Sequence, residues 1–309
     1  MSKLFIFGSG FLVRHIANEF TNNGDEAIVM YNNHKLEDYH GTQLTMKDSD
    51  IIECLIAHKP DYILFAKGDS FVCGNSNIST SIGNNVIPIA EVLDILNKNL
   101  DKLDFIKKII VIGSAAEYTK KSSALHECED ITPTSVYGLS KIFLFNTAMY
   151  YFNKGLPIVY SRQFNAIGPY QRNQFVLSTF ASQLVSVEGG AEPKLEVGDL
   201  SCERDFIDVR DAAYGYRLLF EHGVPGEVYN VGSGKSVKIK VLLDTILSKI
   251  NYDGKIEIVT TKKNKLSKNS LTDRLLSDNT KLVQLGFEEK FTLEETIEDT
   301  LGYWRNVQK

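Results

Sequence analysis

Tyr137 and Lys141 stand four residues apart in Tyr137-Gly-Leu-Ser-Lys141, a spacing that puts both side chains on one face of a helix. An ammonium held beside a phenol favours the phenolate and lowers the tyrosine pKa from its ordinary value near ~10. Such a tyrosine gives a proton to, or takes one from, a sugar or alcohol oxygen near neutral pH. Ser114 lies 23 residues before Tyr137, at the end of Val111-Ile-Gly-Ser114, where its hydroxyl can hydrogen-bond the same reacting oxygen. A hydride donor aimed at the carbon would complete the chemistry, and the first residues offer a place to bind one. Gly8-Ser-Gly10 follows an apolar run and opens an amphipathic stretch, so its backbone can approach a pyrophosphate at a helix N-terminus. The third glycine of the G-x-G-x-x-G pattern is Val13, which leaves the fingerprint incomplete. Its position at the head of a strand and helix series favours a dinucleotide over a plain turn.

After the second apolar run the chain reads Met30-Tyr-Asn-Asn-His-Lys35, without the carboxylate that usually holds a ribose 2′-hydroxyl. Neutral and basic groups there, with Arg14 at the helix start, suit a 2′-phosphate, so NADPH is expected ahead of NADH. The alternative is that Arg14 and Lys35 are solvated surface charges.

These residues need elements to hold them. Leu4–Phe7, Ala27–Met30, Tyr62–Phe65, Ile109–Ile112 and Ile158–Tyr160 read as doubly buried strands. They alternate with helical stretches at Phe11–Thr21, Ile51–His58, Val86–Lys98 and Ser135–Phe152, which predicts a Rossmann-like, doubly wound parallel sheet. After about Asn165 the pattern loosens. Phe206–Val209, the helix Asp211–Phe220 and Glu227–Val231 read as a return to the sheet. The expected division is an NAD(P)-binding domain over 1–165, rejoined by 206–231, and a smaller, interleaved substrate domain mainly over 166–309.

Composition narrows the classes. The 309 residues are 43% hydrophobic and 24% charged, with a net charge of −5, and the 34 Lys and Arg are scattered. Neither nucleic acid nor an anionic membrane surface is an expected partner. Cys54, Cys73, Cys128 and Cys202 lack C-x-x-C spacing and the histidines show no metal spacing, so reduced thiols and no metal are expected. Leu4-Phe-Ile-Phe7 is too short for a signal peptide, and no stretch approaches the roughly 20 apolar residues of a membrane span. A cytoplasmic location follows as an expectation.

Read together, the motifs resemble the short-chain dehydrogenase/reductase family, in its extended branch that modifies nucleotide sugars. The resemblance rests on Gly8-Ser-Gly-Phe11, Gly113-Ser-Ala-Ala-Glu-Tyr118, Tyr137-Gly-Leu-Ser-Lys141, Arg162-Gln-Phe-Asn-Ala-Ile-Gly-Pro169, Arg204-Asp-Phe-Ile-Asp-Val209 and Gly226-Glu-Val-Tyr-Asn-Val-Gly232, in the family's order. It implies catalytic roles for Ser114, Tyr137 and Lys141. It implies a cofactor lined by Gly8, Ser9, Gly10, Phe11, Leu12 and Arg14, by Asn32 and Lys35, by Ala66 and Lys67, and by Asn85 near the start of the fourth helix. Asn165 would contact the sugar nucleotide, Arg204 its diphosphate, and Arg274 would be a second phosphate ligand. A homodimer through the helices Val86–Lys98 and Ser135–Phe152 is also implied.

Within that branch, dehydratases carry an acidic pair immediately after the catalytic Ser or Thr. Here those places hold Ala115 and Ala116, with Glu117 one step late. The epimerase-reductases of the branch place a Cys where Ala116 stands, and Cys73 could substitute only if the fold brought it near. What remains resembles the GDP-4-keto-6-deoxy-D-mannose reductases of deoxysugar and surface-polysaccharide synthesis, although Gly168-Pro-Tyr-Gln171 departs from their usual Gly-Pro-Gly-Gln. A dTDP-linked 4-keto-6-deoxy substrate fits the chemistry equally. The competing readings are a 4-epimerase that retains its NAD and a cofactor-sensing protein without turnover.

Overall fold

Seven short runs pair in parallel at the centre of the computed structural model, which describes residues 1–31, 34–37, 39–46, 50–68, 77–119, 121–261 and 274–308. The first half of the chain runs β1 (Lys3–Phe7), α1 (Phe11–Asn22), β2 (Glu26–Tyr31), β3 (Thr42–Thr45), α2 (Ile51–His58), β4 (Tyr62–Phe65), α3 (Ile78–Asn85), α4 (Ile87–Lys98), β5 (Lys108–Ile112) and α5 (Val136–Phe152). The rest runs β6 (Ile158–Gln163), β7 (Asn165–Ile167), α6 (Val176–Glu188), β8 (Lys194–Val197), β9 (Glu203–Asp208), α7 (Val209–His222) and β10 (Val228–Val231). It closes with β11 (Ser236–Lys238), α8 (Ile239–Leu247), β12 (Glu257–Thr260), β13 (Arg274–Leu275), α9 (Thr280–Gln284) and α10 (Leu293–Val307).

The main sheet has the order β10-β6-β5-β4-β1-β2-β3, and each of its pairings is parallel. Successive residues of a strand face opposite sides, so each strand feeds two cores. Leu4 and Ile6 of β1 join Ile16 and Phe20 of α1 and Tyr216 and Phe220 of α7 on one side. Phe5 and Phe7 join Leu93 and Leu96 of α4 and Leu144 of α5 on the other. Each such fully buried side chain contributes roughly 1.5–3 kcal/mol, so the register is strongly fixed. The strand order reverses between β1 and β4, and it is at such a reversal that a crevice opens beyond the strands' carboxyl ends.

A third core gathers Leu177, Leu184, Leu195, Phe206, Leu243 and Leu301 from α6, β8, β9, α8 and α10. Here the sequence expectation needs correcting. Phe206 and its neighbours do not rejoin the main sheet: β9 pairs with β7, β11 and β13 in a small separate sheet. Only α7 and β10 return, α7 packing beside α1 and β10 against β6. Two other elements escaped the sequence reading for plain reasons. β3 is a polar Thr-Gln-Leu-Thr segment that can pair because it is an edge strand. α3 is made of weak helix formers, and its start is set by Asn77, whose side chain accepts from the Thr80 amide at 2.9 Å. Pro88 then sits in the first turn of α4, so α3 and α4 are separate helices.

Candidate active site

The turn after β1 is shaped for a backbone-binding ligand. Gly8 has φ +135°, and a Cβ there would lie 2.9 Å from the Ala66 carbonyl carbon and oxygen, so only glycine fits beside the end of β4. Gly10 is different. It is the N-cap of α1 with φ −105°, and a Cβ on it would meet nothing within 4 Å. Protein packing does not require a glycine there, and the first turn of α1 is left open to approach. Ser9 donates its hydroxyl to the His34 carbonyl, which closes the turn against the segment after β2. Phe11 and Leu12 are half-buried in the opening turn, and Val13, in the place of the third glycine, is part of the core.

Arg14 is not a solvated charge. It is buried, donates to the Glu37 carbonyl, and stacks 4.2 Å above the Tyr170 ring. Lys35 is exposed nearby, and Asn32 lies outside the described residues. Tyr170 replaces the glycine usual in Gly-Pro-Gly-Gln and keeps the left-handed backbone, φ +69°, that a glycine would favour. His15, one residue on from Arg14, packs edge-on against Phe11 and Tyr170, and burial lowers its pKa to about 4. Lys67, half-buried after β4, has its pKa lowered by burial.

At the carboxyl end of β5, Ser114 caps the short 3₁₀ turn Ala115–Glu117, its hydroxyl accepting from the Ala116 amide at 3.1 Å. α5 starts at Ser135, whose hydroxyl accepts from the Gly138 amide at 3.0 Å. Its first turn presses on the Ser114 turn so closely that a Cβ at residue 138 would lie 2.2 Å from the Ala116 carbonyl oxygen. Gly138 therefore sets how near Tyr137 comes to Ser114. One turn on, Lys141 is buried, donates to the Ile112 carbonyl at 3.1 Å, and holds its ammonium 5.9 Å from the Tyr137 ring centroid. Burial lowers the Lys141 pKa to about 8, opposed by the charge of Glu117. Asn85, which closes α3 instead of opening the next helix, donates to the Ser140 hydroxyl at 2.9 Å. Ser140 in turn donates to the Tyr137 carbonyl at 2.7 Å, so Asn85 braces the tyrosine's own turn.

The expected substrate ligands lie on the small sheet. Asn165 pairs with Phe206, two residues beyond Arg204, so by strand alternation Asn165 and Arg204 share a face. The Asn165 amide donates to the Asp205 carbonyl at 2.9 Å. Asp205 itself is buried and accepts from the amides and hydroxyls of Ser233 and Ser277 and from the Gly234 amide, tying Arg204's strand to the end of β10. Arg274 is not brought beside Arg204. It pairs with Glu203, and so projects from the opposite face, where it sits 3.4 Å from the Glu203 carboxylate and donates to Ser236 and to the Ser122 carbonyl.

Sequence reasoning missed what lies behind the serine. Glu117 accepts from the Ser114 amide at 2.8 Å and the Tyr160 hydroxyl at 2.9 Å through one oxygen, and from Arg162 Nε at 2.8 Å through the other. Arg162 also donates to the Tyr118 hydroxyl and the Glu127 carbonyl. The signal was present as the glutamate of Gly113-Ser-Ala-Ala-Glu and the arginine of Arg162-Gln-Phe-Asn, but a buried pair between distant segments has no local signature. Among the described residues no group of three or more His, Cys, Asp or Glu side chains could hold a metal ion, and no helix is long and apolar enough to cross a membrane. Cys73, the thiol weighed for epimerisation, lies outside the described residues.

The family model described as "NAD dependent epimerase/dehydratase family" matches residues 5–232. The chain is 35% identical over 138 residues to GDP-6-deoxy-D-mannose reductase of Pseudomonas aeruginosa, a match that spans 44% of this chain and 44% of that protein. The structure of RMD from Pseudomonas aeruginosa complexed with NADPH superposes with a TM-score of 0.77 at 22% identity, covering 99% of this chain and 100% of that one. UDP-glucuronic acid 4-epimerase from Bacillus cereus in complex with NAD gives a TM-score of 0.80 at 19% identity over 98% of this chain and 96% of that one. At those identities the structural likeness shows the shared fold.

Proposed function

The chain belongs to the NAD dependent epimerase/dehydratase family, and from that premise we propose that it is an NADPH-dependent reductase of the C4 keto group in a nucleotide-linked 4-keto-6-deoxyhexose. What supports the proposal is that Lys141 reaches the carboxyl end of β5 with its ammonium 5.9 Å from the Tyr137 ring centroid, while Gly138 packs that turn against the one Ser114 caps, two strands along the sheet from the glycine turn. Gly8, Ser9, Gly10, Phe11 and Leu12 hold the dinucleotide, Ala66 and Lys67 line it from β4, and Lys35 faces its 2′-phosphate. When bound, NADPH supplies the hydride that reduces C4. Tyr137 gives its proton to the oxygen as it takes on charge, and Ser114 donates a hydrogen bond to that oxygen. Lys141 keeps the tyrosine acidic. Asn165 and Arg204 fix the sugar nucleotide, the planar guanidinium suiting a diphosphate, and positioning of this kind is worth several kcal/mol.

The match to a GDP-6-deoxy-D-mannose reductase favours a GDP-linked substrate over a dTDP-linked one. Ala115 and Ala116, in place of an acidic pair or a thiol, support reduction over dehydration or 3,5-epimerisation. We place the substrate domain mainly in 166–309, with α7 and β10 returning to the cofactor domain, and the active unit as a cytoplasmic homodimer serving deoxysugar assembly for surface polysaccharide. The test is NADPH oxidation against GDP-, dTDP-, CDP- and UDP-4-keto-6-deoxy sugars, with stoichiometric consumption expected for the GDP compound. The likeness to a 4-epimerase fold keeps one second reading in view. Interconversion of C4 epimers with no net cofactor consumption would establish it and overturn the reductase.

A further inference from the structure

Glu117 has no exposed surface, yet it is a charged side chain lodged between the two groups the proposed reaction depends on most. Both of its oxygens are occupied by donors: the Ser114 amide and Tyr160 hydroxyl on one, Arg162 Nε on the other. Burial pushes its pKa up, and the three donors facing it, one a guanidinium, act against that and make it a hydrogen-bond acceptor with no open path to a substrate. The same Tyr160 hydroxyl lies 3.1 Å from the Lys141 carbonyl, sharing its one proton between the two acceptors, so the cluster reaches the backbone of α5 at the catalytic turn.

We propose that Glu117 is a positioning residue for the reaction: its buried carboxylate orients the Ser114 turn and, through the Tyr160 hydroxyl, the Lys141 turn of α5, with its charge set behind both. The proposal rests on the reductase reading of Ser114, Tyr137 and Lys141. The groups that face this cluster are Tyr160 and Arg162 of β6, Tyr118 and the Glu127 carbonyl from the segment after β5, and Lys141 and Tyr137 of α5. Tyr216 of α7 lies beyond Ser161. Of these charges, Glu117 is the one that acts on Lys141 against its burial. Arg162 works against the burial that pushes the carboxylate's own pKa up.

The test is the pH dependence of kcat for wild type and Glu117→Gln, with folding checked by circular dichroism. Removing an anion makes the Lys141 and Tyr137 pair release its first proton at lower pH. The alkaline limb of the profile is therefore expected to move down by roughly one pH unit. kcat should fall while KM for the sugar nucleotide stays within a few-fold, because Asn165 and Arg204 sit on another sheet, and Glu117→Asp should bring the limb back. Should Glu117→Gln fail to fold, Glu117→Gln with Arg162→Met removes both buried charges together; the limb should then fall by less, while kcat still drops because the Ser114 amide has lost its carboxylate acceptor. A wild type that turns over nothing in the substrate panel overturns the reductase reading and this proposal with it. A wild type that turns over, while the neutral variants keep its alkaline limb, overturns the positioning role alone.

Discussion

At the scale of single residues, Tyr137 and Lys141 carry the clearest expectations. Tyr137→Phe should fold normally and lose roughly 10²–10⁴-fold in kcat through lost acid catalysis, measured as NADPH oxidation at saturating substrate. Lys141 makes a prediction about stability as well. Its pKa falls from 10.5 to about 8 on folding, so the unfolded chain holds that proton more tightly. The buried ammonium thus opposes folding in full below about pH 8, by roughly 3 kcal/mol, and the opposition fades as pH rises from about 8 to 10.5. Lys141→Met should therefore abolish turnover while stabilising the fold at pH 7 by up to roughly that amount, a gain that vanishes near pH 10.5 in denaturant titrations. A less stable variant at pH 7 would contradict this. Ser114, Tyr137 and Lys141 were legible in the sequence because motif spacing reports which residues share a helix face or end a strand. The burial of Arg14 under the Tyr170 ring was not legible, because that partner is 156 positions away in the chain.

At the scale of elements, the β1–α1 turn separates two kinds of glycine. Gly8 is required by its positive φ and by the Ala66 backbone 2.9 Å from where a Cβ would sit, so Gly8→Val should destabilise the fold outright. Gly10 stands in open space, so Gly10→Val should cost the fold less than about 1 kcal/mol yet abolish NADPH binding by fluorescence titration. Equal losses of stability in the two variants would mean that the space beyond Gly10 is not kept for a ligand. Strands of the main sheet were legible because double burial demands apolar runs, as in Leu4–Phe7 of β1, Tyr62–Phe65 of β4, Ile109–Ile112 of β5 and Ile158–Tyr160 of β6. The register partner of β9 was not, since Glu203–Asp208 carries the same half-apolar pattern whichever sheet receives it. Small sheets made of two- to six-residue strands are assembled by tertiary contacts such as the Asp205 cluster, which no local pattern announces.

At the scale of the whole molecule, the proposed reaction divides between a cofactor crevice at the sheet reversal and the face of the small sheet that bears Asn165 and Arg204. Arg204→Ala should raise KM for the sugar nucleotide by roughly 10–100-fold and leave NADPH affinity unchanged, a split that steady-state kinetics and cofactor titration resolve together. Phe143 and Tyr150 leave large apolar surface exposed on α5, 43% and 56%, while Phe145, Tyr151 and Phe152 pack into the core beneath. If two copies associate through α4 and α5, Phe143→Glu should halve the mass seen by analytical ultracentrifugation without lowering the stability of the chain. The central claim is that hydride reaches C4 while Tyr137 supplies the proton, and isotope transfer tests it most directly. With NADPH deuterated at its transferable position and a GDP-4-keto-6-deoxyhexose, NMR of the product should show one deuterium at C4 for each cofactor oxidised. Product that carries no deuterium at C4, or a C4 epimer formed with no cofactor oxidised, would contradict it.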